Sequence, residues 1–155
     1  MSAEIHRVTT PEQEKQAKAL VVEMVEALDL DLSFQGWDKE QATFPAKYQL
    51  PHGLLLLATV DDRPAGCVAY QRLQEERCEM KRLYVRPDFR GQGLSRLLVV
   101  RLCEEARTAG FVEMVWDTLE TMTEALALYR RLGAHEVPPY YDNPLAGVRY
   151  FGLAL

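Results

Sequence analysis

Residues 79–98 read EMKRLYVRPDFRGQGLSRLL, and this stretch decides the fold. Its first half predicts a strand that ends at Val85, because Pro87 cannot donate to a sheet ladder. Gly91 and Gly93 then form a turn that tolerates positive φ angles and lets a ligand approach the backbone closely. Leucines at helical spacing follow the turn. A helix that begins at such a turn has unpaired N–H groups at the positive end of its dipole, so the stretch predicts a phosphate site.

Composition and charge describe an ordinary globular chain. The sequence has 155 residues, 48% of them apolar and 26% charged, and its length predicts one domain over residues 1–155. The net charge of −5 argues against a general nucleic-acid binder, which needs a basic surface. No apolar run approaches the roughly 20 residues that span a bilayer, and the first residues do not have the pattern of a signal peptide. We therefore expect a cytoplasmic protein with no nucleic-acid or membrane partner.

The cysteines and histidines suggest neither disulfides nor a metal site. Cys67, Cys78 and Cys103 are odd in number and dispersed, which predicts free thiols in a reducing compartment. They lack the spacing of metal ligands, and the three histidines cluster neither with them nor with each other. We expect no metal.

Hydrophobic patterns predict the element order β-α-α-β-β-β-α-β-α-β-β. The first helix begins at a capping box, with Thr10 as the cap and Gln13 three residues later. Apolar runs at 54–60 and 65–70 predict an antiparallel hairpin, and a strand at 78–85 extends it into a meander. Such an order predicts a mixed sheet with helices on its faces.

Two further helices are predicted from shorter signals. Residues 37–44 form a short second helix whose charged residues face outward: Asp38, Lys39 and Glu40. The match Thr121-Met-Thr-Glu124 is a second capping box and predicts a helix over 125–132.

The glycine-rich turn taken alone has several interpretations. A Rossmann site requires G-x-G-x-x-G after the first strand, whereas this turn follows the fourth strand and lacks the third glycine. A nucleotide P-loop requires Gly-Lys-Ser/Thr, and Gly93-Leu94-Ser95 has no lysine. A connector that binds nothing is the remaining alternative.

Two motifs make the interpretation specific. Arg90-Gly-Gln-Gly93-Leu-Ser95 resembles the Q/R-x-x-G-x-G/A signature of the GNAT superfamily of N-acetyltransferases. Residues 125–134, ALALYRRLGA, resemble that family's A-x-x-L-Y-x-x-x-G-F motif. Three positions depart from the pattern: Ser95 replaces Gly or Ala, Ala134 replaces an aromatic residue, and Met122 stands where many relatives have Asn. The resemblance implies an α/β fold of the α+β type, a mostly antiparallel sheet of six to seven strands with about four helices on its two faces.

The resemblance also implies acetyl-CoA as the co-substrate. The pyrophosphate would lie on the N–H groups of the turn, and the backbone at the end of the fourth strand would pair with the pantetheine arm. In this family the fourth and fifth strands diverge at that point and open a slot for the thioester. The cofactor-binding residues carried over by the resemblance are Leu83, Tyr84, Val85, Arg90, Gly91, Gln92, Gly93, Leu94 and Ser95.

Two catalytic residues are predicted by the same resemblance. Tyr129 is the candidate general acid for the leaving thiolate, since its reference pKa of about 10 keeps it protonated at neutral pH. Its spacing on the helix also allows a simple packing role. Glu79 is the candidate base that accepts the amine proton; the alternatives are a strand Glu paired with Lys81 or Arg77, or deprotonation through ordered water.

The acceptor is a primary amine of a small molecule or a protein, and the sequence does not name it. The resemblance places its pocket between the first two helices and the loop before the last strand. The candidate substrate residues in that loop are Tyr140, Tyr141, Asp142 and Asn143. The pair Lys81-Arg82 is compatible with attraction of a carboxylate, as in an amino-acid acceptor, but a solvated strand edge or contacts to the CoA phosphates is the favoured interpretation of this pair. A strand edge near the C-terminus is compatible with a homodimer, and a CoA-binding sensor without turnover is the alternative function.

Overall fold

The computed structural model describes residues 2–155 and contains a seven-stranded sheet flanked by helices. The strands are β1 Ala3–Arg7, β2 Gly53–Val60, β3 Arg63–Gln74, β4 Arg77–Val85, β5 Glu113–Leu119, β6 His135–Glu136 and β7 Val148–Ala154. The α-helices are α1 Pro11–Leu28, α2 Trp37–Thr43, α3 Leu94–Thr108 and α4 Thr123–Arg131. The strand order is β1-β2-β3-β4-β5-β7-β6, and every neighbouring pair is antiparallel except β4–β5. The predicted fold class and element order are confirmed.

The sheet is covered on both faces. On one face, α3 and α4 pack their buried leucines against alternate residues of the central strands, such as Leu56, Val68 and Met114. On the other face, α1 packs Leu20 and Val21 against the intervening residues. The uninterrupted apolar run of β2 follows from this burial on both sides. Among residues 2–155, no helix combines the length and the apolar character that a membrane crossing requires.

Local signals predicted one helix start correctly and another wrongly. The Thr10 hydroxyl accepts a hydrogen bond from the Gln13 backbone N–H, and Gln13 Oε1 accepts one from the Thr10 backbone N–H, as the capping box requires. The second capping box is wrong, because α4 begins at Thr123 and its cap, Met122, makes no side-chain hydrogen bond. Residues 120 and 121 instead form a turn between β5 and α4.

The outward orientation predicted for Glu40 is also wrong. Its side chain is buried and forms an ion pair with Arg82 of β4. A sequence pattern in a seven-residue helix does not reveal a charged partner about forty positions away. This ion pair attaches α2 to the central strand.

The parallel pair β4–β5 opens into a split. The two strands are paired at only three positions, and the last is Glu79 opposite Val115. Beyond it, β4 has one extra residue relative to β3, and Arg82 takes the left-handed conformation with φ 61°. A bulge of this kind bends its strand away from its neighbour. The divergence expected for the family is therefore present in this chain.

Candidate active site

Two cavities adjoin the split between β4 and β5. The α3–α4 groove, about 810 Å³, lies between the glycine-rich turn and the start of α4. The split pocket, about 150 Å³, lies between the diverging strands and the segment after α1. Three residues contribute to the lining of both cavities: Leu83, Met122 and Tyr129. A molecule in the groove can therefore reach a molecule in the pocket at Tyr129.

The glycine-rich turn opens the α3–α4 groove to a ligand. Gly91 and Gly93 have φ angles of 77° and 79°, and a side chain at either position would project into open space. Gly93 is the cap of α3, and no side chain bonds to the first N–H groups of that helix. The helix N-terminus is thus available for an anion. Eight of the nine predicted cofactor residues line the groove, and Gln92 does not.

Three arginines give the groove a positive lining, but they do not act alike. Arg90 donates from Nε to the Val85 carbonyl over 2.9 Å and lies 5.8 Å from the centre of the Tyr84 ring. It therefore braces the turn against β4. Arg96 and Arg131 line the groove without a hydrogen bond or ion pair to any of residues 2–155. These two can bind phosphate groups at no cost to another contact.

The free edge of β4 forms one wall of the groove. Past Glu79 the strand has no partner on the β5 side, and Leu83, Tyr84 and Val85 line the cavity there. An unpaired strand edge presents backbone N–H and C=O groups that an extended ligand with amide groups can bond.

Tyr129 lies where the two cavities meet. Its ring packs against Trp116 at 5.0 Å and Phe151 at 6.1 Å, as the alternative packing role predicts, and the same side chain lines both cavities. Burial, followed by the negative charge of Asp117, holds the pKa of Tyr129 well above its ordinary value. The phenol therefore remains protonated at neutral pH. Its hydroxyl makes no hydrogen bond to the rest of the described chain.

The charge of Arg82 is neutralised by a contact that holds α2 against the sheet, so it is not available to a ligand in the split pocket. Its Nε and one terminal nitrogen donate to the two oxygens of Glu40, each over 2.9 Å. The other terminal nitrogen donates to Gln35 over 3.0 Å, and Trp37 lies 5.6 Å from the guanidinium. This bidentate pair neutralises Arg82 and fixes α2 against the bulge of β4.

Lys81 is the other cation of the split pocket. Its Nζ donates to Gln35 Oε1 over 3.2 Å, and it forms no ion pair within residues 2–155. Burial, as the largest influence, lowers the pKa of Lys81 below its ordinary value, while the charges of Glu79 and Asp117 oppose that shift. An ammonium in this position lacks a counter-ion.

Asp117 is the carboxylate of the split pocket. The Tyr141 hydroxyl and the Asn143 amide, the latter at 2.8 Å, both donate to its Oδ2 atom. Within the part of the chain that the structure describes, Oδ1 has no hydrogen-bond partner and Asp117 has no ion pair. The loop before β7 thus orients this carboxylate at the pocket and leaves one oxygen available.

Glu79 and the predicted acceptor loop lie differently from the expectation. Glu79 is buried, accepts hydrogen bonds from Gln71 at 2.8 Å and from Tyr140, and lines neither cavity. Of the four candidate substrate residues, only Asn143 lines the split pocket. Tyr140 donates to Glu79 and Tyr141 donates to Asp117, and neither tyrosine nor Asp142 is part of the lining.

Sequence reasoning did not single out Asp117 or the apolar wall of the pocket. Asp117 alternates with buried residues on β5, and a carboxylate in such a strand is the signal that could have found it. The wall consists of leucines at the end of α1, in the segment after it and before β7: Leu28, Leu30, Leu32 and Leu145. Their spacing in a loop has no pattern that marks a cavity.

The family model described as "Acetyltransferase (GNAT) family" matches residues 22–134, which include both motifs and all the strands of the split. The chain belongs to this family. An N-acetyltransferase of Schizosaccharomyces pombe, itself described as uncharacterised, is 40% identical over 153 residues, which cover 97% of this chain and 94% of the relative.

Two other relatives of this GNAT chain carry more specific names. The thialysine N-epsilon-acetyltransferase of Caenorhabditis elegans is 31% identical over 124 residues, or 77% of this chain and 76% of that protein. The PaiA N-acetyltransferase of Thermoplasma acidophilum, solved in complex with coenzyme A, superposes with a TM-score of 0.75 over 100% of both chains at 14% identity. The second likeness shows that this GNAT chain shares its fold with a protein that binds coenzyme A.

Proposed function

We propose that the protein transfers the acetyl group of acetyl-CoA to a primary amine by direct attack in a ternary complex. The observation that carries the proposal is the junction at Tyr129, which lines both the α3–α4 groove and the split pocket. A donor in the groove and an acceptor in the pocket would meet there without a covalent enzyme intermediate. Holding two reactants together in this way supplies much of the rate enhancement of a bimolecular reaction.

The groove has the chemistry of an acetyl-CoA site. The N-terminus of α3 and the two unpaired arginines, Arg96 and Arg131, suit the phosphates. The free edge of β4 suits the two amides of the pantetheine arm. The thioester would then lie at the split, beside Leu83 and Tyr129.

The acid step follows from the burial of Tyr129. The amine nitrogen attacks the thioester carbonyl carbon, the C–S bond breaks, and the departing sulfur takes a proton from the Tyr129 hydroxyl. Because burial disfavours the phenolate, the proton that the amine loses must return to Tyr129 as the reaction is completed. One proton leaves the amine and one reaches the thiol, so the step is balanced.

Asp117 is the better placed proton acceptor. It lines the split pocket and has a free oxygen, whereas Glu79 faces Gln71 and Tyr140 and lines neither cavity. In our proposal Asp117 binds the ammonium of the acceptor and accepts its first proton, which then passes to solvent. The neutral amine attacks, and the second proton that it loses replaces the one that Tyr129 gives to the thiol. A carboxylate positioned in this way contributes about 10²–10⁴-fold as a general base.

The test is Tyr129→Phe, with Tyr70→Phe as the matched control. Tyr70 is a buried tyrosine of the core that lines neither cavity. We expect Tyr129→Phe to lower kcat by about 10²-fold or more, the range of general acid catalysis, and to leave the Kd for acetyl-CoA unchanged. Free thiol release is measured against a panel of amines that includes thialysine, the acceptor in the nematode relative's name.

Two outcomes would contradict the proposal. An unchanged kcat in Tyr129→Phe would remove the acid role. Tight binding of acetyl-CoA without turnover of any amine would identify the chain as a CoA-binding sensor rather than an enzyme.

A further inference from the structure

The split pocket contains two opposite charges that are not paired with each other. Lys81 and Asp117 both line it, and neither forms an ion pair within 4 Å to any of residues 2–155. The third charge of the pocket, Arg82, is already neutralised by Glu40. One cation and one anion are therefore left to a ligand.

The position of these two charges follows from the strand register. Lys81 and Asp117 each lie two residues beyond the last paired position, Glu79 opposite Val115. Their neighbours Met80 and Trp116 pack in the core on the α3–α4 face, so alternation directs Lys81 and Asp117 to the opposite face. The split separates two side chains that would be neighbours in a continuous parallel ladder.

Two partly buried charges that do not pair with each other carry a desolvation cost, and Lys81 and Asp117 are both partly buried. A buried ion loses hydration, and only a partner charge or several hydrogen bonds compensate for that loss. Lys81 has one hydrogen bond, to Gln35, and Asp117 has one oxygen without any. A zwitterion that spans the two would compensate both charges at once.

We infer that the acceptor is a free α-amino acid, with its amine at Asp117 and its carboxylate at Lys81. The inference rests on the proposed function and names the substrate class of the same site. The amine at Asp117 is then the attacking nucleophile, and the carboxylate is a recognition group that does not react.

The remaining lining selects an apolar side chain of moderate size. Leu28, Leu30, Leu32 and Leu145 form the wall of the pocket and can contact such a side chain. The volume of about 150 Å³ equals that of roughly five water molecules at about 30 Å³ each. A polyamine does not suit the site, because Lys81 would repel its second ammonium group.

The experiment compares matched acceptors. Leucine, methionine and phenylalanine are each assayed beside the amine that lacks the carboxylate and beside the α-amide, which imitates a protein N-terminus. We expect at least one acid to exceed both of its counterparts by about tenfold or more in kcat/KM, equivalent to about 1.4 kcal/mol. If no acid of the three exceeds its amine and its amide, the inference is wrong.

Lys81→Met separates a binding role from a base role. For the preferred amino acid we expect kcat/KM to fall to the value of its amine, and for the amine we expect no loss. An equal loss for the acid and the amine would show that Lys81 acts on the reacting amine and would overturn the assignment. The Kd for acetyl-CoA, which the change leaves intact, verifies that the variant is folded.

The outcomes distinguish this inference from the proposed function. Acetylation of amines without preference for a carboxylate refutes the amino-acid acceptor and leaves the transferase intact. An amide that is preferred over its acid indicates a protein N-terminus and also refutes it. Failure to acetylate any acceptor refutes the transferase itself.

Discussion

The α3–α4 groove and the split pocket are built from different parts of the chain. The groove takes most of one wall from a continuous stretch, Leu83 to Arg96, and offers backbone groups and the end of a helix. The pocket takes side chains from α1, the segment after it, β4, β5 and the loop before β7. A site made of contiguous backbone is visible as a motif, whereas a site made of dispersed side chains is not.

Their charges differ as well. The free charges expected to bind ligand in the groove are Arg96 and Arg131, both positive, which suits a polyanion. The pocket has one free charge of each sign, Lys81 and Asp117. The difference teaches that the groove suits an anionic ligand, whereas the pocket beside it suits a ligand that carries both charges, as our proposal of a shared donor and a specific acceptor requires.

The largest expected effect concerns the framework of the pocket. Arg82→Met leaves Glu40 buried without its main partner, so we expect the free energy of unfolding to fall by about 3–5 kcal/mol. The Kd for acetyl-CoA should stay unchanged, because Arg82 does not line the groove. Urea denaturation provides the measurement, and the double variant Arg82→Met/Glu40→Leu should recover most of the loss.

Arg101→Met is the matched control for that variant. The partly exposed Arg101 pairs with Glu105, which keeps Arg7 as a second partner, so we expect a loss of at most about 1 kcal/mol. If Arg82→Met were no more destabilising than Arg101→Met, the buried pair would not be the connection between α2 and β4.

A second pair of variants sharpens the contrast within the catalytic region. We expect Asp117→Asn to lower kcat by about 10²-fold or more, as loss of a general base does, and Glu79→Gln to leave kcat nearly unchanged. Single-turnover thiol release with the preferred acceptor measures both. The opposite ranking would restore Glu79 as the base and remove Asp117 from the mechanism.

A third comparison disrupts the α3–α4 groove and leaves the split pocket unchanged. Gly93→Val places a branched side chain at φ 79°, where strain of about 1–3 kcal/mol displaces the start of α3. We expect the Kd for acetyl-CoA, measured by calorimetry, to rise by about 5- to 150-fold for that energy.

Gly110→Val is the control at the other end of the same helix. Its φ of 97° is also left-handed and its surroundings are also open, but it lies outside the groove. It should lose stability without losing affinity. Equal loss of affinity in both variants would mean that Gly93 acts only through the stability of α3.

The smallest effect is a pH dependence in the pocket. The pKa of Lys81 is lowered, first by burial and also by Arg82 and Lys47, against the opposing charges of Glu79 and Asp117. A carboxylate ligand needs the protonated amine, so its affinity is present below that pKa and is lost as pH rises through it. We expect N-acetyl-leucine, which has no titratable amine, to bind more weakly by up to about tenfold per pH unit above the pKa.

Lys81→Arg tests the origin of that trend. A guanidinium stays protonated over the whole accessible range, so the decline with pH should disappear in this variant. An unchanged decline would assign the titration to another group. The control ligand is N-acetyl-3-methylbutylamine, which lacks the carboxylate of N-acetyl-leucine. Its affinity should not change with pH in the parent protein or in Lys81→Arg.

Several features were predictable from residues close together in sequence. The order of elements follows from hydrophobic periods and turns, and the start of α1 follows from Thr10 and Gln13. Eight of nine cofactor residues fall in the groove because the motif and the site are the same stretch of chain. The false capping box at Thr121 shows the limit of local patterns, since the cap of α4 is Met122 and the helix begins at Thr123, two residues before the predicted start at 125.

The acceptor side depended on contacts between distant residues. Glu40 is an ordinary surface residue by its helix pattern, and only the fold pairs it with Arg82. Glu79 is expected at the site by its strand position, yet Gln71 and Tyr140 enclose it.

The sequence by itself indicated the family and the fold of this protein and marked the glycine-rich turn that lines the α3–α4 groove. Hydrophobic periodicity and a glycine-rich turn are local properties, so both are visible in the sequence. Only the tertiary structure decided which carboxylate lines the split pocket and which lysine there has no ion pair within the described residues. The physical reason is that the bulge at Arg82 and the split beyond Glu79 and Val115 set the spacing between β4 and β5. That spacing leaves Lys81 and Asp117 facing one pocket without pairing.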